Sequence, residues 1–193
     1  MSVTPFSRNY HCRISDALHY CGLQMIVMEN SLLKVIIFPE KGGEIYSIQY
    51  KQLDLDPLLH YRALQTPTVY PPTIPLSDGS FSDVYDGGWQ VMFPTAGGAG
   101  FAMGTGFGRH GEAALLPWHW RIVDDQPERV SVRLFVTMMR SPFVLERTIS
   151  LEEGKAQLSF VESVTNQGGE RQAFVWGHHP AFGAPFLDGS CVL

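Results

Sequence analysis

The sequence predicts an all-β protein built of antiparallel strands, and three observations carry that expectation. Apolar and polar residues alternate with a period of two over long stretches, the stretches are divided by Gly-containing turns, and no run of a dozen residues carries a helical apolar stripe. The alternation is clearest in Val130, Val132, Leu134, Val136 and Met138, with Ser131, Arg133 and Thr137 facing the other way. Successive side chains of a strand point to opposite faces, so this pattern suits a strand buried on one side. With 19 glycines and 13 prolines in 193 residues, little of the chain is left for long helices.

The elements follow in order. Leu23 to Met28, Leu32 to Phe38 and Glu44 to Tyr50 are expected strands, divided by Glu29-Asn30-Ser31 and by Pro39-Glu40-Lys41-Gly42-Gly43. A strand is expected to begin near Trp118. Val130 to Met138, Phe143 to Leu151, the segment holding Leu158, Phe160 and Val164, and Arg171 to Trp176 complete a meander, with turns at Glu152-Glu153-Gly154-Lys155 and Asn166-Gln167-Gly168-Gly169. The middle is different: four prolines lie between Thr66 and Pro75, and nine glycines between Gly87 and Gly111. Trp89, Met92, Phe93, Phe101, Met103 and Phe107 are scattered through the glycine-rich part, whereas flexible linkers are poor in such residues. A long ordered loop over the mouth of a sheet is therefore expected, in a single domain covering residues 1–193.

Composition excludes several classes of function. Hydrophobic residues make up 45% of the chain and charged ones 17%, a globular balance. The net charge of −5 lacks the basic clusters that nucleic acid or an anionic membrane would require. No apolar run is long enough for a membrane helix and the N-terminus has no secretion signal, so a cytoplasmic location is expected. Cys12, Cys21 and Cys191 form an odd set without metal-ligand spacing, and are read as reduced thiols, with no metal and no cofactor expected. No G-x-S-x-G elbow occurs, and Gly104-Thr105-Gly106-Phe107-Gly108 lacks the following Lys and the strand-to-helix setting of a phosphate loop.

Three constellations can carry chemistry. His110 stands in Gly108-Arg109-His110-Gly111-Glu112, ahead of Pro117-Trp118-His119-Trp120; it is either an exposed loop residue or a side chain set at a strand end with a carboxylate nearby. His178 and His179 sit in Trp176-Gly177-His178-His179-Pro180-Ala181-Phe182, and on an extended chain at most one of them faces a given pocket. Histidine titrates near neutrality, which suits proton transfer, although one core and one surface histidine would also explain the pair. Asp86, Trp89 and Gln90 belong to Asp86-Gly87-Gly88-Trp89-Gln90, where an aromatic face and polar amide and carboxylate groups suit a sugar, and where Trp89 is otherwise a core residue.

In order along the chain, these segments resemble the aldose 1-epimerase (galactose mutarotase-like) family. Leu33 to Ile45 resembles its opening hairpin, Arg109-His110-Gly111 its His-Gly segment, and Gly177-His178-His179-Pro180-Ala181-Phe182 its Asn-His-x-Tyr-Phe-Asn segment. The resemblance implies a large antiparallel β-sandwich that holds a monosaccharide or sugar derivative and interconverts its α and β anomers without a cofactor. It assigns His179 as the general acid and His110 as a histidine holding the sugar; Trp89, Gln90, Glu112, His178 and Asp86, read from the segments themselves, are expected as substrate-binding residues beside them. No arginine stands near Pro94-Thr95-Ala96-Gly97, where the family has one; His178 replaces its Asn, and Ala181 its Tyr. The family's catalytic glutamate falls beyond Leu193, so the chain is expected to be the N-terminal portion of the fold, an incomplete sandwich lacking the base. Its open sheet edge would permit a homo-oligomer. The alternatives are a sugar-binding module without catalysis, or a structural sandwich attached to a larger carbohydrate-active enzyme.

Overall fold

The computed structural model describes residues 10–64 and 79–192 and consists of antiparallel sheets. Its strands are β1 (Arg13–Tyr20), β2 (Leu23–Glu29), β3 (Leu33–Phe38), β4 (Glu44–Tyr50), β5 (Trp89–Met92), β6 (Gly100–Ala102), β7 (Thr105–Phe107), β8 (His119–Gln126), β9 (Arg129–Thr137), β10 (Phe143–Glu152), β11 (Ser159–Asn166) and β12 (Gly177–Pro180); a short helix α1 (Gly79–Val84) precedes β5. Six strands form one sheet in the order β1-β2-β3-β4-β5-β12, four form a second in the order β11-β10-β9-β8, and β6 and β7 make a hairpin.

The two larger sheets share one apolar core. Ile26, Met28, Val35, Ile37, Ile45 and Val91 of the first pack with Val130, Val132, Leu134, Leu145, Ile149 and Leu151 of the second. The alternation that predicts the strands also predicts this partition, since Val132 and Leu134 turn inward together. On β3, Val35 and Ile37 enter the shared core, while Ile36 and Phe38 join Leu23, Met25, Tyr46 and Leu64 in a smaller apolar cluster on the other side. That outward face of the six-stranded sheet is thus partly covered, and it is the face that matters below.

Two expectations are corrected. Arg171 to Trp176 is not a strand: its apolar alternation reads as one, but the pairing with β5 begins only at Gly177. The glycine-rich segment from Gly87 is not purely loop, because Trp89–Met92 enters the main sheet between β4 and β12. The proline-rich stretch from Thr66 to Pro75 lies outside the described residues. Among the described residues, no disulfide involves Cys12, Cys21 or Cys191. No helix among the described residues is long and apolar enough to cross a membrane.

Leu145 is fully buried where the sheets meet. Leu145→Ala should cost about 2–5 kcal/mol of stability, read from urea denaturation; a loss under ~1 kcal/mol would mean that the sheets are not closely packed there.

Candidate functional site on the outward face

The pairing of β5 with β12 sorts the side chains of the site. His179 lies opposite Gln90, and His178 opposite Val91. Directly paired residues share a face and chain neighbours do not, so Gln90 and His179 point outward while Trp89, Val91 and His178 point toward the second sheet.

His110 reaches the same outward face from the loop after β7. Its ring centroid lies 4.9 Å from that of His179. The backbone of His110 is left-handed, with φ of 62°, a conformation uncommon for residues other than glycine but more accessible to His than to most. Both of its backbone groups are held, the N–H donating to Gly97 O at 3.0 Å and the carbonyl accepting from Phe93 N at 3.2 Å. The ring is oriented as well, because Gly97 N–H donates to Nδ1 at 3.3 Å. The residue after it must be glycine: at Gly111, with φ of +81°, an added Cβ would stand 2.3 Å from Phe93 O. Phe81 of α1 sets its edge against both imidazoles, 4.7 Å from His110 and 5.8 Å from His179, and Tyr85 lies 5.2 Å from His179. Burial raises the Tyr85 phenol above its ordinary range, so it stays protonated.

Below the histidines lies a buried polar cluster. Lys41 Nζ is 2.7 Å from Glu44 Oε2 and 2.6 Å from Asp86 Oδ1, with all three side chains almost fully removed from solvent. Gln90 Nε2 donates to Glu44 Oε1 at 2.9 Å and also to Gly87 O. Gly88, with φ of +71°, leaves room for this arrangement; a Cβ there would approach Glu44 Oε1 to 2.2 Å. One ammonium serves two carboxylates. Desolvation is the largest influence on Glu44, and together with the charge of Asp86 it outweighs Lys41 and the hydrogen bonds, raising the carboxyl from 4.5 to about 7.

Among the described residues, the buried polar atoms of this face without a hydrogen-bond partner include His179 Nδ1, Gln90 Oε1 and both ring nitrogens of His60, whose ring lies 4.1 Å from that of Tyr46. The first two belong to residues directly opposed in the β5–β12 ladder. An unsatisfied buried polar atom costs about 1–3 kcal/mol, so two side by side call for an explanation.

Four of the residues singled out from sequence come together here: His110, His179, Gln90 and Asp86. Three do not. Trp89 packs its ring 5.3 Å from Phe160 of β11, in the space between the sheets. His178 lies there too, hydrogen-bonded to Trp89 and Glu162. The Glu112 carboxylate is turned to the β9–β10 turn, where it accepts from Met139 N, Arg140 N and Ser141 Oγ at 2.9–3.0 Å. Sequence reasoning missed Lys41, Glu44, Phe81 and Tyr85. The signal available for the first two was a Lys and a Glu flanking a Gly-Gly turn at a strand start, where charged residues are normally solvated.

No known protein family matches the sequence, and no curated protein matches it. Solved structures do match the fold. A Klebsiella pneumoniae protein assigned as an aldose 1-epimerase superposes with a TM-score of 0.73 at 14% identity, over 92% of this chain and 48% of that one. A galactose mutarotase-like protein from Clostridium acetobutylicum gives 0.63 at 20% identity, over 93% and 56%. One from Lactobacillus casei gives 0.54 at 21%, over 82% and 49%. The fold is galactose mutarotase-like. The chain spans about half the length of each of these mutarotase-like proteins.

The raised Glu44 pKa has a consequence for stability. Between pH 4.5 and about 7 the folded protein keeps a proton that the unfolded chain has released, so this group's contribution to stability declines as pH rises through that window. Its size is on the order of 3 kcal/mol at most. Urea denaturation of wild type and Glu44→Gln across the window should give curves that diverge as pH rises, with wild type losing the more. Parallel curves would mean that Glu44 is ionised throughout.

Proposed function

We propose that the outward face around His110 and His179 binds a monosaccharide and interconverts its α and β anomers. The observation that carries this reading is the pair of unpartnered buried polar atoms, His179 Nδ1 and Gln90 Oε1, beside a second imidazole. A sugar offers adjacent hydroxyls that both give and accept hydrogen bonds, and would satisfy such a pair. The aromatic edges of Phe81 and Tyr85 provide apolar surface next to the same histidines.

In this reading His179 gives its proton to the ring oxygen as the bond from that oxygen to C1 breaks. A base takes the proton of the C1 hydroxyl, C1 becomes an aldehyde, and rotation about the C1–C2 bond followed by closure delivers the other anomer. Imidazole suits the first role because it exchanges protons near neutral pH. His110, fixed in its loop, holds the substrate against His179. The likeness to an assigned aldose 1-epimerase and to galactose mutarotase-like proteins supports the reading at the level of fold, and a fold by itself does not determine activity.

A second reading is favoured by one feature. Both carboxylates known on this face, Glu44 and Asp86, are buried and engaged by Lys41, so neither stands ready as the base. A face with the acid and the binding groups but without the base would hold a sugar and not turn it over.

Polarimetry and NMR with single anomers of glucose and galactose, alongside calorimetric binding, separate the two. Catalysis predicts interconversion above the spontaneous rate, lowered by roughly 10²–10⁴ in His179→Ala. Binding without acceleration supports the second reading. The absence of both would refute the assignment of a sugar to this face.

A further inference from the structure

We propose that His178 is a positioning residue, held as its Nε2–H tautomer between the two sheets, that sets the aim of His179. The inference rests on the reading of His179 as a sugar-facing group. β12 is four residues long and, among the described residues, pairs with only one neighbour, β5. So short an edge strand needs a further anchor if its outward side chain is to hold one orientation, and His178 provides one on the opposite face.

The hydrogen-bond pattern around His178 selects a single tautomer. Trp89 Nε1–H donates to Nδ1 at 3.0 Å, and Arg147 Nη2, also a donor, lies 3.5 Å from the same atom. Neither contact is compatible with a proton on Nδ1. Nε2 faces Glu162 Oε2 at 3.0 Å, an acceptor, and so carries the hydrogen. Glu162 is fixed in turn by Arg147, whose Nε donates to Oε1 at 2.6 Å. Burial would raise the Glu162 carboxyl, but the hydrogen bond from His178 and the charge of Arg147 prevail and lower it, so an anionic acceptor is kept there. Arg147 is only 1% exposed and lies over the rings of Trp118 and Phe160. The groups facing His178 are thus Trp89 from β5, Arg147 from β10, and Phe160 and Glu162 from β11.

This arrangement joins β5 of the same sheet, and β10 and β11 across the core, to the residue before His179. Trp89 is likewise the residue before Gln90, so one hydrogen bond on the inner face fixes both partners of the outward pair. A tilt of the His178 ring would turn the strand and carry His179 with it. Misplacement of an acid by about 1 Å is enough to cost orders of magnitude in rate.

The test uses the full chain labelled with ¹⁵N. Side-chain NMR without sugar should report His178 as the Nε2–H tautomer, with the Trp89 indole N–H hydrogen-bonded. His178→Asn, which keeps an acceptor near the Nδ1 position, should leave the His179 titration midpoint close to wild type. His178→Leu should shift that midpoint and, where wild type binds a monosaccharide, weaken binding about ten-fold. Glu162→Gln, which retains shape, is the second variant if His178→Leu does not fold, and should shift the midpoint in the same sense. An Nδ1–H tautomer in wild type, or variants that lose stability to urea while His179 titrates unchanged, would overturn the proposal. Because the His179 midpoint is read without ligand, a chain that binds no sugar would sink the proposed function and leave this inference separately decidable.

Discussion

The hydrogen-bonded pairing of β5 with β12 organises the molecule on both of its sides. Chain neighbours on a strand point in opposite directions, so Gln90 and His179 look outward from the same four-residue ladder that sends Trp89 and His178 inward. The inward pair ends in an ion pair of the second sheet between buried Arg147 and half-buried Glu162. Burying such a pair carries a desolvation cost that apolar residues of similar volume would avoid. Its presence beside the one strand that bears His179 is more readily understood as a device for orientation than for stability.

The outward polar cluster works at a seam of the same sheet. β4 and β5 are joined by a single residue pair, Ile45 with Trp89, where the other neighbours in this sheet share four or more. The Glu44–Gln90 hydrogen bond and the Lys41–Asp86 ion pair cross this seam and take over part of what backbone pairing does elsewhere. The surplus of carboxylate over ammonium in that cluster follows from the task, because Lys41 must reach both strands. Glu44 bears the electrostatic consequence in its raised pKa.

Fold class was legible because alternation is a local property. Glu44–Tyr50 occupies the bounds that its pattern predicts, and the strand from Phe143 starts where expected. What failed was non-local. Trp89–Met92 sits among glycines, and only its placement between β4 and β12 makes it a strand. β1 was not recognised because its register shifts between Ser15 and Leu18, which breaks the alternation. Of the site, the two histidines outward of the sheet were legible as residue types at strand and loop ends. That at most one of His178 and His179 would face a pocket also followed from strand geometry. The inward choice for His178 did not, since it depends on Trp89 and Glu162, far away in sequence. Lys41 is the plainest case: nothing near a Gly-Gly turn announces that its ammonium will be enclosed by an aspartate 45 residues on.

The two outward imidazoles are not equivalent, and the difference bears on what the face can recognise. His110 receives Gly97 N–H at Nδ1, so a neutral ring there carries its hydrogen on Nε2 and acts as a donor. His179 has its Nδ1 unsatisfied, and Gln90 beside it, with both amide hydrogens committed to Glu44 and Gly87, presents only an acceptor oxygen. Beside the His110 ring, an acceptor oxygen and an imidazole nitrogen able to be either donor or acceptor lie on a single surface. A carboxylate or a phosphate dianion, acceptors only, would meet part of that demand; neighbouring hydroxyls on a ring, each able to give and to accept, meet all of it. The selectivity argued for this face therefore rests on the direction of its hydrogen bonds, which the inner-face anchor of β12 and the left-handed turn at His110 hold in place.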